Sequence, residues 1–130
     1  MMKYEYVGCF FDYEELSERV KEIRQNPLEC EKMKPHITFE YAPSIVDTTL
    51  FGEKVFVKII GYGNDGENEG VQVVISCENQ RLENMVQKIR VPHITLAVSS
   101  TGQAVNTKYL KFEKVEPLSI IGYYDGHIED

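Results

Sequence analysis

Pro35-His36-Ile37-Thr38-Phe39-Glu40-Tyr41 and Pro92-His93-Ile94-Thr95-Leu96-Ala97-Val98 are two renderings of one phrase, and two of the chain's three histidines lie inside them. The likeness extends past the identical Pro-His-Ile-Thr, because Ile37, Phe39 and Tyr41 correspond in position to Ile94, Leu96 and Val98. Apolar residues at every second position describe a β-strand with one face against a core. The imidazole and the threonine hydroxyl of each copy then share the opposite face. Proline cannot donate to a sheet ladder and is tolerated at a strand's first residue, so each histidine should stand at the beginning of its strand. A single His-x-Thr on a half-buried strand is ordinarily a satisfied structural pair. Two in one small domain present two polar faces that need partners, and a shared cleft would serve both.

A chain of 130 residues fits one domain with a core large enough to fold unaided. Its 42% hydrophobic and 27% charged residues are those of an ordinary soluble globular protein. No apolar run approaches the roughly 20 residues of a membrane span. The start, Met1-Met2-Lys3-Tyr4-Glu5, lacks the apolar stretch of a secretion signal, so a cytoplasmic protein without membrane contact is expected. Cys9, Cys30 and Cys77 are odd in number and widely spaced, which suggests buried thiols in place of a disulfide framework or a zinc site. The net charge of −7 argues against an extended nucleic-acid surface, where many phosphates must be neutralised together. A small cluster of hydroxyls, imidazoles and backbone N–H groups can still hold one phosphate within an acidic protein.

Outward from the two phrases, Lys3–Phe11 reads as an opening strand and Asp12 as an N-cap, with an amphipathic helix from Tyr13 that sets Leu16, Val20 and Ile23 on one stripe and stops at Asn26-Pro27. After a polar connection comes the first histidine strand, closed by Ala42-Pro43-Ser44, and then a loop over 45–53. Lys54–Tyr62 alternates as a strand. Gly61 to Gly70 reads as a glycine-rich hairpin loop leading to a strand at Val71–Cys77, since it matches no phosphate-loop pattern. Asn79–Arg90 is a second amphipathic helix through Leu82, Met85, Val86 and Ile89, and it delivers the chain to the second histidine strand. Leu110–Val115 and Leu118–Tyr124 read as closing strands split by Pro117, and His127 as a surface histidine. Strand, helix, histidine strand thus occurs twice. That order predicts one α+β domain over residues 1–130, a pseudo-twofold duplication with two antiparallel sheets lining a central cleft and the helices on the outer faces.

Two imidazoles on either side of one phosphate can divide the work of a displacement: one takes a proton from the attacking oxygen, the other gives one to the leaving oxygen. Threonine hydroxyls and backbone donors would hold the nonbridging oxygens. A serine-hydrolase triad fits less well, since no GxSxG occurs, and so does zinc, since each motif supplies one imidazole without further ligands at short spacing.

The paired motifs His36-Ile37-Thr38-Phe39 and His93-Ile94-Thr95-Leu96 resemble the signature of the 2H phosphoesterases. The resemblance implies a compact bilobal, duplicated fold, and metal-independent phosphodiesterase chemistry on a 2′,3′-cyclic phosphate or related 2′-linked phosphate of a nucleotide or RNA end. By the same resemblance His36 and His93 would be the acid/base pair and Thr38 and Thr95 the phosphate ligands, with no cofactor or metal. The hydroxyl-rich run Ser99–Gln103 is similar to the cyclic phosphodiesterase module of fungal and plant tRNA ligases, which makes Ser99 and Ser100 further candidates to touch phosphate. No arginine cluster is evident beside either motif. The alternative function is an inactive nucleotide- or protein-binding module that uses the same cleft.

Overall fold

Asp12 accepts a hydrogen bond from the N–H of Glu15 at 2.9 Å, and Asn79 accepts from the N–H groups of Arg81 and Leu82. Each cap satisfies donors that a helix leaves unpaired at its start, and two short helices result. The computed structural model describes residues 3–28 and 34–128. In chain order the elements are β1 (Tyr4–Phe10), α1 (Tyr13–Val20), β2 (His36–Tyr41), β3 (Lys54–Asn64), β4 (Asn68–Ser76), α2 (Gln80–Val86), β5 (His93–Val98) and β6 (Glu113–Ile128). Single 3₁₀ segments lie at Thr48–Leu50 and Ala104–Tyr109. The connection between residues 28 and 34, with Cys30, lies outside the described residues.

The strands form one antiparallel sheet in the order β2-β1-β6-β3-β4-β5, nearly closed into a barrel, with the two edge strands β2 and β5 lying against each other. This corrects the expectation of two separate sheets. The physical reason is β6, whose Leu118–Tyr123 run pairs with β3 while Tyr123–Ile128 pairs with β1, so that one strand joins both halves. Nor does Pro117 split it. Between the pairs Ile59↔Leu118 and Gly61↔Lys114 the ladder shifts register, so Val115, Glu116 and Pro117 stand opposite Ile60 in a bulge that tolerates the missing N–H.

One core serves the whole molecule. Val7, Cys9, Ile37, Phe39, Val55, Val57, Ile59, Val71, Val73, Ile94 and Ile120 of the strands meet Leu16 and Val20 of α1 and Leu82 and Val86 of α2. Both helices therefore pack on the core face of the one sheet. Cys9 and Cys77 are free and buried, and burial pushes both thiols up, that of Cys77 to about 11.

The glycine-rich stretch is mostly strand. Only Asp65, Gly66 and Glu67 connect β3 to β4, with Gly66 at φ 86°, a conformation that L side chains rarely adopt. Gly70 serves close approach: a Cβ there would stand 2.4 Å from the Thr107 methyl, so the 3₁₀ segment can lie directly on β4.

Candidate functional site

His36 and His93 open β2 and β5, and both are held the same way. The Nδ1 of His36 lies 2.9 Å from the Lys34 carbonyl oxygen, and that of His93 lies 2.7 Å from the Val91 carbonyl oxygen. A carbonyl only accepts, so Nδ1 must carry the hydrogen in each ring. In a neutral ring the other nitrogen, Nε2, is then the bare one, ready to take a proton. The backbone repeats as well: Phe11 N–H donates to Pro35 O at 3.2 Å, and Val73 N–H donates to Pro92 O at 3.1 Å. Gly8 stands opposite Thr38 and Gly70 opposite Thr95.

Both ladders shift register just past the threonine, at Val7/Gly8 and Glu69/Gly70, leaving Phe39 and Leu96 as the extra residues. Such a bulge re-aims the side chains beyond it. The alternation in the sequence puts Tyr41 on the core side with Ile37 and Phe39. Instead Tyr41 pairs with Tyr6 and is 63% exposed, on the face that carries Thr38.

The surroundings of the two histidines differ. His36 stacks on Tyr6, with centroids 4.6 Å apart and planes at 19°, and leans on Phe10 at 5.7 Å. Tyr6 stacks in turn on His127, at 5.0 Å and 16°. His127 is thus a partly exposed member of an imidazole–phenol–imidazole column, 3.8 Å from a Glu5 carboxylate oxygen. Burial lowers the pKa of His36, opposed by its bond to Lys34 O and reinforced by repulsion from His127, His93 and Lys34. Burial lowers that of His93 too, opposed by its bond to Val91 O and reinforced by Lys108. Repulsion from His93 is one of the smaller causes at His36, whereas His36 is not among the groups that shift His93.

A cleft of about 400 Å³ runs between the edge strands, with Thr38 and Tyr41 of β2 on one side and His93 on the other. Arg90, just before β5, and Lys108 and Tyr109 of the 3₁₀ segment complete its polar lining. Thr38 and His93, one residue from each motif, therefore share this space, while His36 is not among its lining residues. Thr95 does not line it: its hydroxyl donates to Thr107 Oγ1 at 2.8 Å, and Asn68 Nδ2, buried, donates to the same oxygen at 3.0 Å. Ser99 and Ser100 are not brought to it either. They lie past the far end of β5, about 20 Å of strand from His93, where Ser99 N–H donates to Glu67 O and Ser99 Oγ meets Thr101 Oγ1.

Arg90 and Lys108 are cations of the cleft that local sequence patterns do not disclose. Periodicity places Arg90 as the last residue of a helix running to that point, but α2 ends at Val86 and frees the chain to swing Arg90 into the cleft. Lys108 belongs to a segment with no periodic signal. Among the described residues no group of three or more His, Cys, Asp or Glu side chains is placed to hold a metal ion, and no helix is long and apolar enough to cross a membrane. No protein-family model matches the chain, and no curated protein matches it.

The lowered histidine pKa values have a consequence for anion binding. A phosphate monoester beside Nε2 favours the imidazolium and raises the depressed value, so binding takes up protons. Affinity for a phosphate monoester should therefore strengthen as pH falls through neutrality toward the depressed values of the free rings. Calorimetry in two buffers of different ionisation enthalpy reads the proton uptake directly. Affinity independent of pH would show that neither imidazole meets the phosphate.

Proposed function

We propose that the protein is a metal-independent phosphodiesterase that opens a 2′,3′-cyclic phosphate on a nucleotide or RNA end by two-histidine acid/base catalysis. The observation that carries this reading is the matched pair of imidazoles, each with Nδ1 held by the carbonyl two residues earlier and Nε2 left for chemistry. In the proposed step a water gives a proton to Nε2 of the base as its oxygen attacks phosphorus. The bond from phosphorus to one ribose oxygen breaks, and that oxygen takes a proton from Nε2 of the second, protonated histidine. The product is a phosphate monoester, and the family resemblance favours the 2′-phosphate.

The family resemblance makes His93 the base in this mechanism; burial and neighbouring positive groups lower both imidazoles, so the choice does not rest on their electrostatics. His36 is the acid, its imidazolium lying on the π faces of Tyr6 and Phe10. Thr38, Arg90 and Lys108 hold the nonbridging oxygens. The repeated backbone bonds, opposed glycines and bulges support a pseudo-twofold duplication of the 2H type, with halves β2-β1-β6 and β3-β4-β5 inside the single sheet. A cytoplasmic setting belongs to the same reading and is supported by two free thiols. One observation favours the alternative of a binding module without turnover: the Thr95 hydroxyl donates inward, away from any ligand.

A screen of nucleoside 2′,3′-cyclic phosphates, cyclic-phosphate-ended oligonucleotides and small cyclic phosphodiesters, run in excess EDTA, separates the two. Ring opening that persists under chelation is the expected result, since proton transfer by the imidazoles is all that the proposed step uses. Activity that disappears with EDTA and returns with one divalent ion would overturn the mechanism. Binding without turnover of any substrate would favour the module.

A further inference from the structure

The cleft holds more than a phosphate needs. Tyr41 is 63% exposed and Tyr109 is 75% exposed, and both line the space that contains Thr38 and His93. Both rings stand open to water, and the backbone at each is held in place. The Ala42 N–H, at a positive φ of 46°, donates to Glu5 O at 2.8 Å and anchors the backbone beyond Tyr41, whose ring meets Tyr6 edge-on at 6.0 Å. Tyr109 ends the 3₁₀ segment, with the Leu110 N–H bonded to Thr107 O at 3.1 Å and the Lys108 ammonium 5.2 Å above its ring. The β2 bulge turns Tyr41 onto the side of Thr38, about 10 Å further along the strand. That ring lines the same cleft as Thr38 and His93.

Building on the phosphodiesterase reading, we propose that Tyr41 and Tyr109 form a stacking seat for the nucleobase, and that the substrates are nucleoside or RNA-terminal cyclic phosphates accepted with little discrimination among bases. The remaining walls near these rings are aliphatic, from Ile89, Val91 and Val105. No Asn, Gln, Asp or Glu side chain among the described residues lines the cleft to read a base edge. The two cations present, Arg90 and Lys108, belong with phosphate oxygens. Stacking on an aromatic ring is tolerant of sequence because every base offers a π face, whereas discrimination requires hydrogen bonds to the edges.

The test compares four nucleoside 2′,3′-cyclic phosphates with a base-free cyclic phosphodiester, glycerol 1,2-cyclic phosphate, in wild type and in Tyr41→Ala, Tyr109→Ala and the matching Phe variants. The seat predicts that each Ala change reduces the preference for nucleoside over base-free substrate about tenfold, the usual scale of one lost stack. The Phe variants should retain the preference, and the four bases should differ in kcat/KM by less than about tenfold. An unaltered preference in both Ala variants, or a single base favoured more than a hundredfold, would overturn the seat. If no cyclic phosphodiester is opened, the catalytic reading fails and binding judges the seat alone. Nucleoside 2′-monophosphates that bind more tightly than ribose 5-phosphate and shift the ring signals of Tyr41 and Tyr109 support it; equal affinity overturns it.

Discussion

A folded His93→Ala protein is expected to open 2′,3′-cyclic phosphates about 10²–10⁴-fold more slowly than wild type, the usual worth of a positioned general acid or base. The same loss is expected for His36→Ala. Water is a poor nucleophile until a proton is removed, and a ribose alkoxide is a poor leaving group until one is supplied, so neither histidine substitutes for the other. The kcat/KM of the wild-type protein should follow a bell-shaped pH profile with both limbs displaced downward from ordinary histidine behaviour, because burial lowers both imidazoles. Thr38→Ala should cost less, about 10–10²-fold, because it removes one of several phosphate contacts. Thr95→Ala should act mainly on stability, because its hydroxyl is spent on Thr107. Steady-state kinetics, with folding checked by circular dichroism, measures these effects. Full activity in either histidine variant would refute two-histidine catalysis.

The largest expected loss of stability lies away from the cleft. Glu69 on β4 is fully buried and takes a forked pair of bonds from Arg24, Nε to Oε2 at 2.7 Å and a terminal guanidinium nitrogen to Oε1. It also accepts from Tyr62 Oη at 2.6 Å and from the Leu28 N–H at 3.0 Å. Burial alone would raise the pKa of Glu69, but Arg24, Tyr62 and the Leu28 N–H outweigh it and hold the carboxylate in its charged form. Arg24→Ala strands that charge in the interior and should cost about 3–5 kcal/mol. Arg24→Leu combined with Glu69→Leu should cost clearly less, since no buried charge is left. Urea titration of the single and double variants distinguishes this from lost packing; a single-variant loss below about 1 kcal/mol would show the pair to be solvent-screened.

That network also explains where the sequence misleads. Leu16, Val20 and Ile23 sit on one helical stripe, yet α1 ends at Val20, because the stretch from Arg24 to Leu28 is drawn to Glu69 and Tyr62 on the sheet. Nothing local announces a partner 45 residues away. The histidine strands, by contrast, are readable because alternation and a leading proline are local properties, and so is the cap Asp12. A bulge is not local: whether Pro117 ends a strand or sits opposite Ile60 in a longer one depends on the neighbour's register, and that single difference turns two expected sheets into one. The outward turn of Tyr41 has the same origin, a register shift opposite Gly8. Gly61, Gly63 and Gly70 read as a loop because glycine signals turns, whereas they lie under the crossing of residues 107–112. Of the site, the imidazoles and threonines are visible as a repeat. Arg90 and Lys108 are not, since only tertiary packing brings them beside His93.

The measurement closest to the central claim is an NMR titration of the imidazole signals with a nucleoside 2′-monophosphate in excess EDTA. One phosphate shared by two histidines predicts that the His36 and His93 signals shift together, with a single dissociation constant, and that the pKa of at least one of them rises on binding. Signals that shift with separate constants, or a His36 signal indifferent to a ligand that moves His93, would mean that the two motifs do not serve one phosphate.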